Sequence, residues 1–184
     1  GDEVITPPNS FIASAASIVH LGAKPVFVDV KDDQLIDPGK IESAITKKTK
    51  AIMPVHLTGK MCEMKKITQI SKKYNIPVIE DAAQSIGSRY MNRSAGSIGK
   101  IGCFSAHPLK NLNAFGDSGY LTTNDTKIAS LAKILSNHGM VNRNIVKKFG
   151  YVSRMDNLQA GILNFHLTKL DKIIKSRRKN AQIY

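Results

Sequence analysis

The sequence has no tryptophan, only two cysteines, and 14 acidic residues against 27 lysines and arginines. Cys62 and Cys103 lie far apart and form no C-x-x-C pair, so the usual zinc signatures are absent. No apolar run is long enough to cross a membrane, and the first residues lack the basic start and apolar centre of a secretory signal. We therefore expect reduced thiols, no metal site, no membrane contact and a cytoplasmic location.

An initiating methionine is also absent, because the chain opens with "GDEVITPP" and enters strand-like sequence almost at once. We interpret the 184 residues as a piece of a longer protein. They are still enough for one sizeable domain with its own core.

What the chain has in excess is positive charge, with a formal net charge of +13. Such an excess raises the question of a nucleic acid or an anionic ligand. No aromatic residues interleave the most basic stretch, which favours a solvated helix face over a nucleic-acid site and leaves the nucleic-acid hypothesis resting on charge alone. We expect no nucleic-acid partner. The basic side chains of that stretch are Lys169, Lys172, Lys175, Arg177, Arg178 and Lys179.

Short apolar runs alternate with segments of helical period along the chain. The runs carry Val and Ile at nearly every position, which is typical of strands covered on both faces in a parallel sheet. The pattern predicts an α/β fold with three layers, α/β/α, and a mostly parallel sheet. Strands are predicted at 3–7, 24–30, 50–57, 76–83, 101–107 and 118–125. Helices are predicted at 9–22, 36–49, 60–75 and 126–139, with one long helix over 155–184 after a large domain of 1–154.

Polar residues that close the predicted strands are the candidates for chemistry, because ligands gather at the carboxyl ends of parallel strands. Asp81 closes "PVIEDAA" and requires a cationic partner or strong donors beside so apolar a strand. Lys110 follows "CFSAH", where a desolvated amine becomes a nucleophile toward aldehydes. Taken singly, Asp81 also suits a helix cap or an ion pair, and Lys110 also suits an exposed loop.

Two nucleotide-binding patterns are missing. "GSIGKIG" (96–102) is not a Walker loop, because Ile101 follows Lys100 where the motif needs Ser or Thr, and no G-x-G-x-x-G occurs.

Two motifs taken together are more specific than either alone. "VIEDAAQSIG" (78–87) followed by "GCFSAHPLKNLNAFGDSG" (102–119) resembles the sugar aminotransferases of the DegT/DnrJ/EryC1/StrS family. These are pyridoxal 5'-phosphate enzymes of the aspartate aminotransferase fold, fold type I. The segments 1–30, 51–64, 137–139 and 150–163 match the family as well, so the resemblance covers practically the whole chain.

The resemblance implies roles for individual residues. Lys110 forms the imine with the cofactor aldehyde and is the catalytic base, and Asp81 pairs with the protonated pyridine nitrogen. Gln84 lies near the phenolic oxygen of the cofactor and Ser105 donates to its phosphate. The remaining two cofactor-binding residues are Phe11, which stacks on the ring, and Asn111, which adjoins the lysine. The role of His107 is not defined by the resemblance.

The function that the resemblance implies is transfer of an amino group from glutamate to a keto-sugar carried on a nucleotide, by a homodimer, in amino-sugar or surface-polysaccharide biosynthesis. A non-catalytic or regulatory relative, or an inactive fragment, is the alternative. A dehydratase-type relative has histidine in place of the lysine, so Lys110 argues against it.

The chain departs from the family pattern at three places. A Ser-Gly-Thr turn that holds the cofactor phosphate falls upstream of Gly1, and the small C-terminal domain falls past Tyr184. The third departure is "GYVSR", where Val152 stands in place of an Asn that reaches the neighbouring subunit's cofactor. We therefore expect this stretch alone to bind the cofactor weakly and the complete protein to be active as a dimer.

Overall fold

The computed structural model describes residues 1–184, which form ten strands and six α-helices. The strands are β1 (Glu3–Thr6), β2 (Lys24–Phe27), β3 (Thr49–Ile52), β4 (Ile79–Asp81), β5 (Arg89–Tyr90), β6 (Arg93–Ser94), β7 (Ile101–Ser105), β8 (Gly119–Thr122), β9 (Met140–Asn142) and β10 (Ile145–Val146). The helices are α1 (Ile12–His20), α2 (Pro38–Ile41), α3 (Met64–Tyr74), α4 (Thr126–Leu135), α5 (Asn157–Leu167) and α6 (Leu170–Ala181).

Six strands form one mixed sheet in the order β2-β1-β3-β4-β7-β8. Strands β2, β1 and β3 pair in parallel, as do β4 and β7, and only β8 runs antiparallel to its neighbour. The two halves join where the Asp81 N–H donates to the Pro54 carbonyl at 2.9 Å and the His56 N–H donates to the Asp81 carbonyl at 3.0 Å. The predicted α/β fold with a mostly parallel sheet is confirmed.

Helices cover both faces of this sheet. Ile5, Ile52 and Val78 are register partners, so they lie on one face, where the apolar side of α3 packs against them. Helix α1 lies on the other face, since its Ser14 reaches the side chain of Asp81. The sheet is thus the middle of three layers. The main core cluster comprises Ile5, Val28, Leu35, Ile36, Ile41, Ile52, Cys62, Met64, Ile67, Ile70, Ile76 and Val78.

Regular structure stops earlier than predicted in two places. Strand β3 ends at Ile52, and its pairing with β4 resumes only at Val55, because the intervening Pro54 has no N–H to donate. The helix predicted over 36–49 is shorter, with α2 followed by a single 3₁₀ turn, Glu42–Ala44. The Thr46 N–H donates to the Thr49 hydroxyl at 2.9 Å, which turns the chain directly into β3.

The single long helix predicted over 155–184 is wrong, since this segment forms α5 and α6 with a turn between them. The Thr168 hydroxyl donates to the Phe165 carbonyl at 2.7 Å and the Lys169 N–H donates to the His166 carbonyl at 2.9 Å. Both bonds close the end of α5. Leu163 of α5 and Leu170 of α6 are buried in the same small cluster, so both helices pack against one core. The domain boundary at 154/155 stays a prediction.

Candidate functional site

A cavity of about 730 Å³ opens at the carboxyl ends of β4 and β7. Five of the six predicted cofactor-binding residues line it, namely Phe11, Asp81, Gln84, Ser105 and Lys110. The sixth, Asn111, lies outside it in a smaller adjoining cleft of about 270 Å³. The parallel strands explain this gathering, because they bring residues far apart in sequence to one edge of the sheet.

The carboxylate of Asp81 is held at both oxygens. The Ser14 hydroxyl donates to Oδ2 at 2.7 Å, and the backbone N–H of Ala83 donates to Oδ1 at 3.1 Å. These neutral donors fix the direction of the carboxylate at the cavity wall. Ser14 was not among the sequence candidates, because a serine inside an apolar helix carries no motif. The one sequence signal for Ser14 was its position on a predicted helix that packs on the sheet beside the strand ending in Asp81.

Lys110 lies at the end of a tight turn that follows β7. Its backbone N–H donates to the His107 carbonyl at 2.9 Å, and the N–H of Leu109 donates to Nδ1 of the His107 ring at 3.2 Å. The N–H of His107 donates in turn to the Ser105 hydroxyl at 3.3 Å. Because Nδ1 of His107 is an acceptor here, its ring proton lies on Nε2. His107 therefore organises the turn that presents Lys110.

The amide of Gln84 is oriented by the backbone. Its Oε1 accepts a hydrogen bond of 2.7 Å from the N–H of Thr58, whose backbone has a left-handed φ of 51°. With Oε1 engaged, the amide NH₂ of Gln84 remains as the donor for a ligand oxygen. Phe11, directly before α1, keeps 71% of its surface exposed at the cavity wall, where a planar ligand ring can stack on it.

One buried polar atom of the cavity-lining residues has no partner. The hydroxyl of Ser118 is buried without any hydrogen bond, and it lies in the same cavity as Ser105. Buried hydroxyls are normally satisfied, so this one points to a ligand oxygen as its partner. Arg154 lines the cavity as well and donates to Oδ1 of Asn137 at 3.1 Å. The cavity thus offers hydroxyl donors and the guanidinium of Arg154 to an anionic group.

A second carboxylate lies on the opposite face of β4. Glu80 is fully buried and accepts hydrogen bonds from the backbone N–H groups of Gly96 (2.9 Å), Ile98 (2.6 Å) and Gly99 (2.5 Å). Nε2 of the equally buried His56 lies 2.9 Å from it, while Nδ1 of His56 accepts from the Cys62 N–H at 3.3 Å. Burial raises the pKa of Glu80, but the hydrogen bonds from His56 and the three backbone donors outweigh it, so the pKa is lowered.

Other candidate chemistry is limited. No three or more His, Cys, Asp or Glu side chains lie close enough together to hold a metal ion. Both cysteines are free, and burial raises the pKa of Cys62 to about 12, which makes its thiol unreactive. None of the helices has both the length and the apolarity that a membrane crossing requires.

The residues of the cavity fit pyridoxal 5'-phosphate. A lysine amine suits its aldehyde, a carboxylate fixed by two donors suits its pyridine nitrogen, and an unpartnered hydroxyl suits its phosphate. Fold and cavity together therefore define the class of pyridoxal-phosphate-dependent transferases.

The whole chain, residues 1–184, matches the DegT/DnrJ/EryC1/StrS aminotransferase family, and it belongs to that family. It is 47% identical, over its full length, to the dTDP-3-amino-3,6-dideoxy-alpha-D-galactopyranose transaminase of Aneurinibacillus thermoaerophilus, of which it covers 51%. It is 45% identical, again over its full length, to a pleiotropic regulatory protein of Geobacillus stearothermophilus, of which it covers 50%. The chain thus spans about half the length of these curated relatives.

A solved structure gives the same result for the fold. The chain is similar to NtdA from Bacillus subtilis with bound cofactor PMP, with a TM-score of 0.83 and 41% identity over 89% of this chain and 38% of the other. The fold is therefore that of the pyridoxal-phosphate-dependent sugar aminotransferases, fold type I, of which this chain contains a part.

Proposed function

We propose that the complete protein is a pyridoxal-phosphate-dependent aminotransferase that moves an amino group from glutamate to a nucleotide-linked keto-sugar. We place it in the cytoplasm, in amino-sugar or surface-polysaccharide biosynthesis. The observation that carries the proposal is the convergence of Lys110 and the doubly held Asp81 in one cavity. A carboxylate and an amine in such an arrangement serve a cofactor that carries both a basic nitrogen and an aldehyde.

The cavity residues divide the binding of the cofactor between them. Lys110 would hold the aldehyde carbon and Asp81 the pyridine nitrogen. The free NH₂ of Gln84 would donate to the phenolic oxygen, and the ring of Phe11 would cover one ring face. The hydroxyl of Ser105, with the unpartnered one of Ser118, would donate to the phosphate. Asn111 lies in the adjoining cleft, which Gln84 and Lys110 also line.

Lys110 has a second task as the proton carrier. When bound, pyridoxal phosphate supplies an electron-withdrawing ring that acidifies the carbon bearing the amino group. Once an incoming amine has taken its place, the Lys110 amine would stay at the cavity wall and carry a proton at Nζ during the transfer. The same residue serves both halves of the reaction, so we expect ping-pong kinetics with glutamate and the keto-sugar as alternating substrates.

One cationic side chain of the cavity is left for an anionic substrate. Lys110 and Arg154 line the cavity together with two carboxylates, Asp81 and Asp117, and the cofactor would occupy Lys110 and Asp81. The similar Aneurinibacillus protein is named for a dTDP-linked amino sugar, which agrees with this class. A nucleotide diphosphate is strongly anionic, and Arg154 is the cationic side chain of the lining that would attract it.

We further propose a homodimer. The segment from 149 to 165 exposes large apolar side chains, among them Phe149 at 103% and Leu158 at 74% of their surface. Exposed apolar patches of this kind mark protein contacts. Val152 is 65% exposed on the same segment, and it cannot donate the hydrogen bond that an Asn would give to a neighbouring subunit. Sedimentation of the complete protein should give a dimer, and Leu158→Asp should shift it toward the monomer.

The function is tested with the complete protein and pyridoxal phosphate. We expect a visible absorption band that disappears when glutamate is added and returns with a nucleotide-linked keto-sugar. Lys110→Ala should abolish the band. A cofactor band that no amino donor changes would favour the regulatory alternative. The similarity to the pleiotropic regulatory protein of Geobacillus is the observation behind that alternative. The 184-residue stretch alone should bind the cofactor weakly, because it is only about half of such a protein.

A further inference from the structure

A row of hydroxyls leads to the Asp81 carboxylate from helix α1. The Ser14 hydroxyl donates to Oδ2 of Asp81 at 2.7 Å, and the hydroxyls of Ser10 and Ser14 lie 2.7 Å apart. Ser14 is buried, with 6% of its surface exposed, whereas Ser10 lies on the cavity wall. A side chain that is not itself part of the catalytic pair is thus in direct contact with one of its members.

The direction of these hydrogen bonds follows from counting hydrogens. A serine hydroxyl has one hydrogen to donate, and an ionised carboxylate can only accept. Since Ser14 gives its hydrogen to Asp81, the bond between the two serines must be donated by Ser10. Each donor therefore polarises the next, and the negative charge of Asp81 is stabilised by a chain of two hydroxyls.

We propose that Ser14 is a positioning residue that keeps the Asp81 carboxylate directed at the pyridine nitrogen of the cofactor. The Ser14 hydroxyl occupies Oδ2, and the Ala83 N–H occupies Oδ1, so the carboxylate cannot rotate without losing a bond. Without Ser14, the carboxylate keeps only the Ala83 donor and can turn away from the pyridine nitrogen, which then loses the partner for its proton. This inference rests on the proposed function.

A purely structural role would leave a different signature. Ser17, one turn along α1, also makes a hydrogen bond, but its hydroxyl donates to the Ser14 carbonyl at 3.0 Å and lies on the exposed side of the helix. Ser14→Ala and Ser17→Ala remove the same atom from the same helix. Only Ser14→Ala removes a bond to Asp81, so Ser17→Ala is a matched control.

The experiment measures the complete protein with pyridoxal phosphate labelled with ¹⁵N in the ring. For Ser14→Ala we expect about tenfold weaker cofactor binding. The ¹⁵N resonance of the pyridine nitrogen should move toward the value of an unprotonated ring. Ser17→Ala should match the wild type in both measurements. Ser14→Ala values equal to those of the wild type would overturn the role of Ser14.

Two further variants guard against misfolding. Ser14→Thr keeps the hydroxyl. Ser14→Val has the same shape as Ser14→Thr but carries a methyl group where threonine has the hydroxyl. We expect Thr to retain the wild-type ¹⁵N position and Val to shift it, and equal positions in the two would contradict the proposal. A wild type that binds no pyridoxal phosphate would instead overturn the proposed function, so the two failures are distinguishable.

Discussion

Glu80 and Asp81 are adjacent in β4 and face opposite sides of the same sheet. Glu80 is fully buried and accepts from three backbone N–H groups and His56. Asp81 accepts from one backbone N–H and one hydroxyl, and it faces the cavity. The donors around Glu80 saturate its oxygens, which suits a structural anion. The two donors around Asp81 fix its direction and leave the carboxylate open to the cavity, which suits a carboxylate that binds a ligand.

The largest effect should come from the cavity face, in Lys110→Ala. Loss of the amine that holds the aldehyde and carries the proton should lower the turnover of the complete protein by at least about a thousandfold. Folding should be unaffected, since the Lys110 side chain is partly exposed and makes no ion pair. Steady-state kinetics and thermal unfolding together check this. Turnover near the wild-type level would contradict the role of Lys110.

The next effects separate the two carboxylates. Asp81→Asn should lower turnover roughly a hundredfold with little change in stability, because it removes the charge at the pyridine nitrogen while the Ser14 hydroxyl can turn to accept from the new amide NH₂. Glu80→Gln should lower the free energy of unfolding by about 3 kcal/mol, since the buried backbone donors and His56 then face a neutral amide. Urea denaturation measures the loss of stability in Glu80→Gln, and steady-state kinetics measure the loss of turnover in Asp81→Asn. If the two substitutions had the same profile, the proposed division of roles would be wrong.

The acid dependence of stability sharpens the role of Glu80. Its pKa in the folded state is lowered from the ordinary value of 4.5, so its contribution is complete above about pH 4.5 and is lost as the pH falls through the lowered value. The difference in unfolding free energy between wild type and Glu80→Gln should therefore be constant at neutral pH and shrink in acid. A difference that does not change down to pH 3 would contradict this.

The smallest effects should come from the ring and the oxygen contacts. Phe11→Ala and Gln84→Ala should each weaken binding of pyridoxal phosphate about tenfold, through lost stacking and a lost donor respectively. Asn111→Ala, just outside the cavity, should change this affinity less. An equilibrium titration of the complete protein measures all three, and a larger loss for Asn111→Ala would move that residue into direct cofactor contact.

Much of this arrangement could be predicted from the sequence, because it depends on local patterns. The six sheet strands follow from apolar runs, and Asp81, Gln84, Ser105 and Lys110 lie at or just after strand ends. Phe11, Asn111 and the roles of all six site residues came from the resemblance to the family. The order of strands in the sheet and the joining of β3 to β4 past Pro54 depend on pairings between distant segments, and local patterns do not show such pairings.

Other features were missed for different physical reasons. The break between α5 and α6 is set by Thr168 and Lys169, neither of which is a strong helix breaker. The hairpin of β5 and β6 turns at Met91 and Asn92, which take left-handed backbone angles without the expected glycine. The proposed role of Ser14 depends on its contact with Asp81, which is 67 positions away in sequence, so no local pattern could indicate it.

The most direct measurement identifies the residue that holds the cofactor. The complete protein is loaded with pyridoxal phosphate, reduced with borohydride, digested, and its peptides are analysed by mass spectrometry. Our account predicts the pyridoxyl group on the peptide that contains Lys110, and no modified peptide from Lys110→Ala. A pyridoxyl group found on a different lysine, or on none, would contradict it.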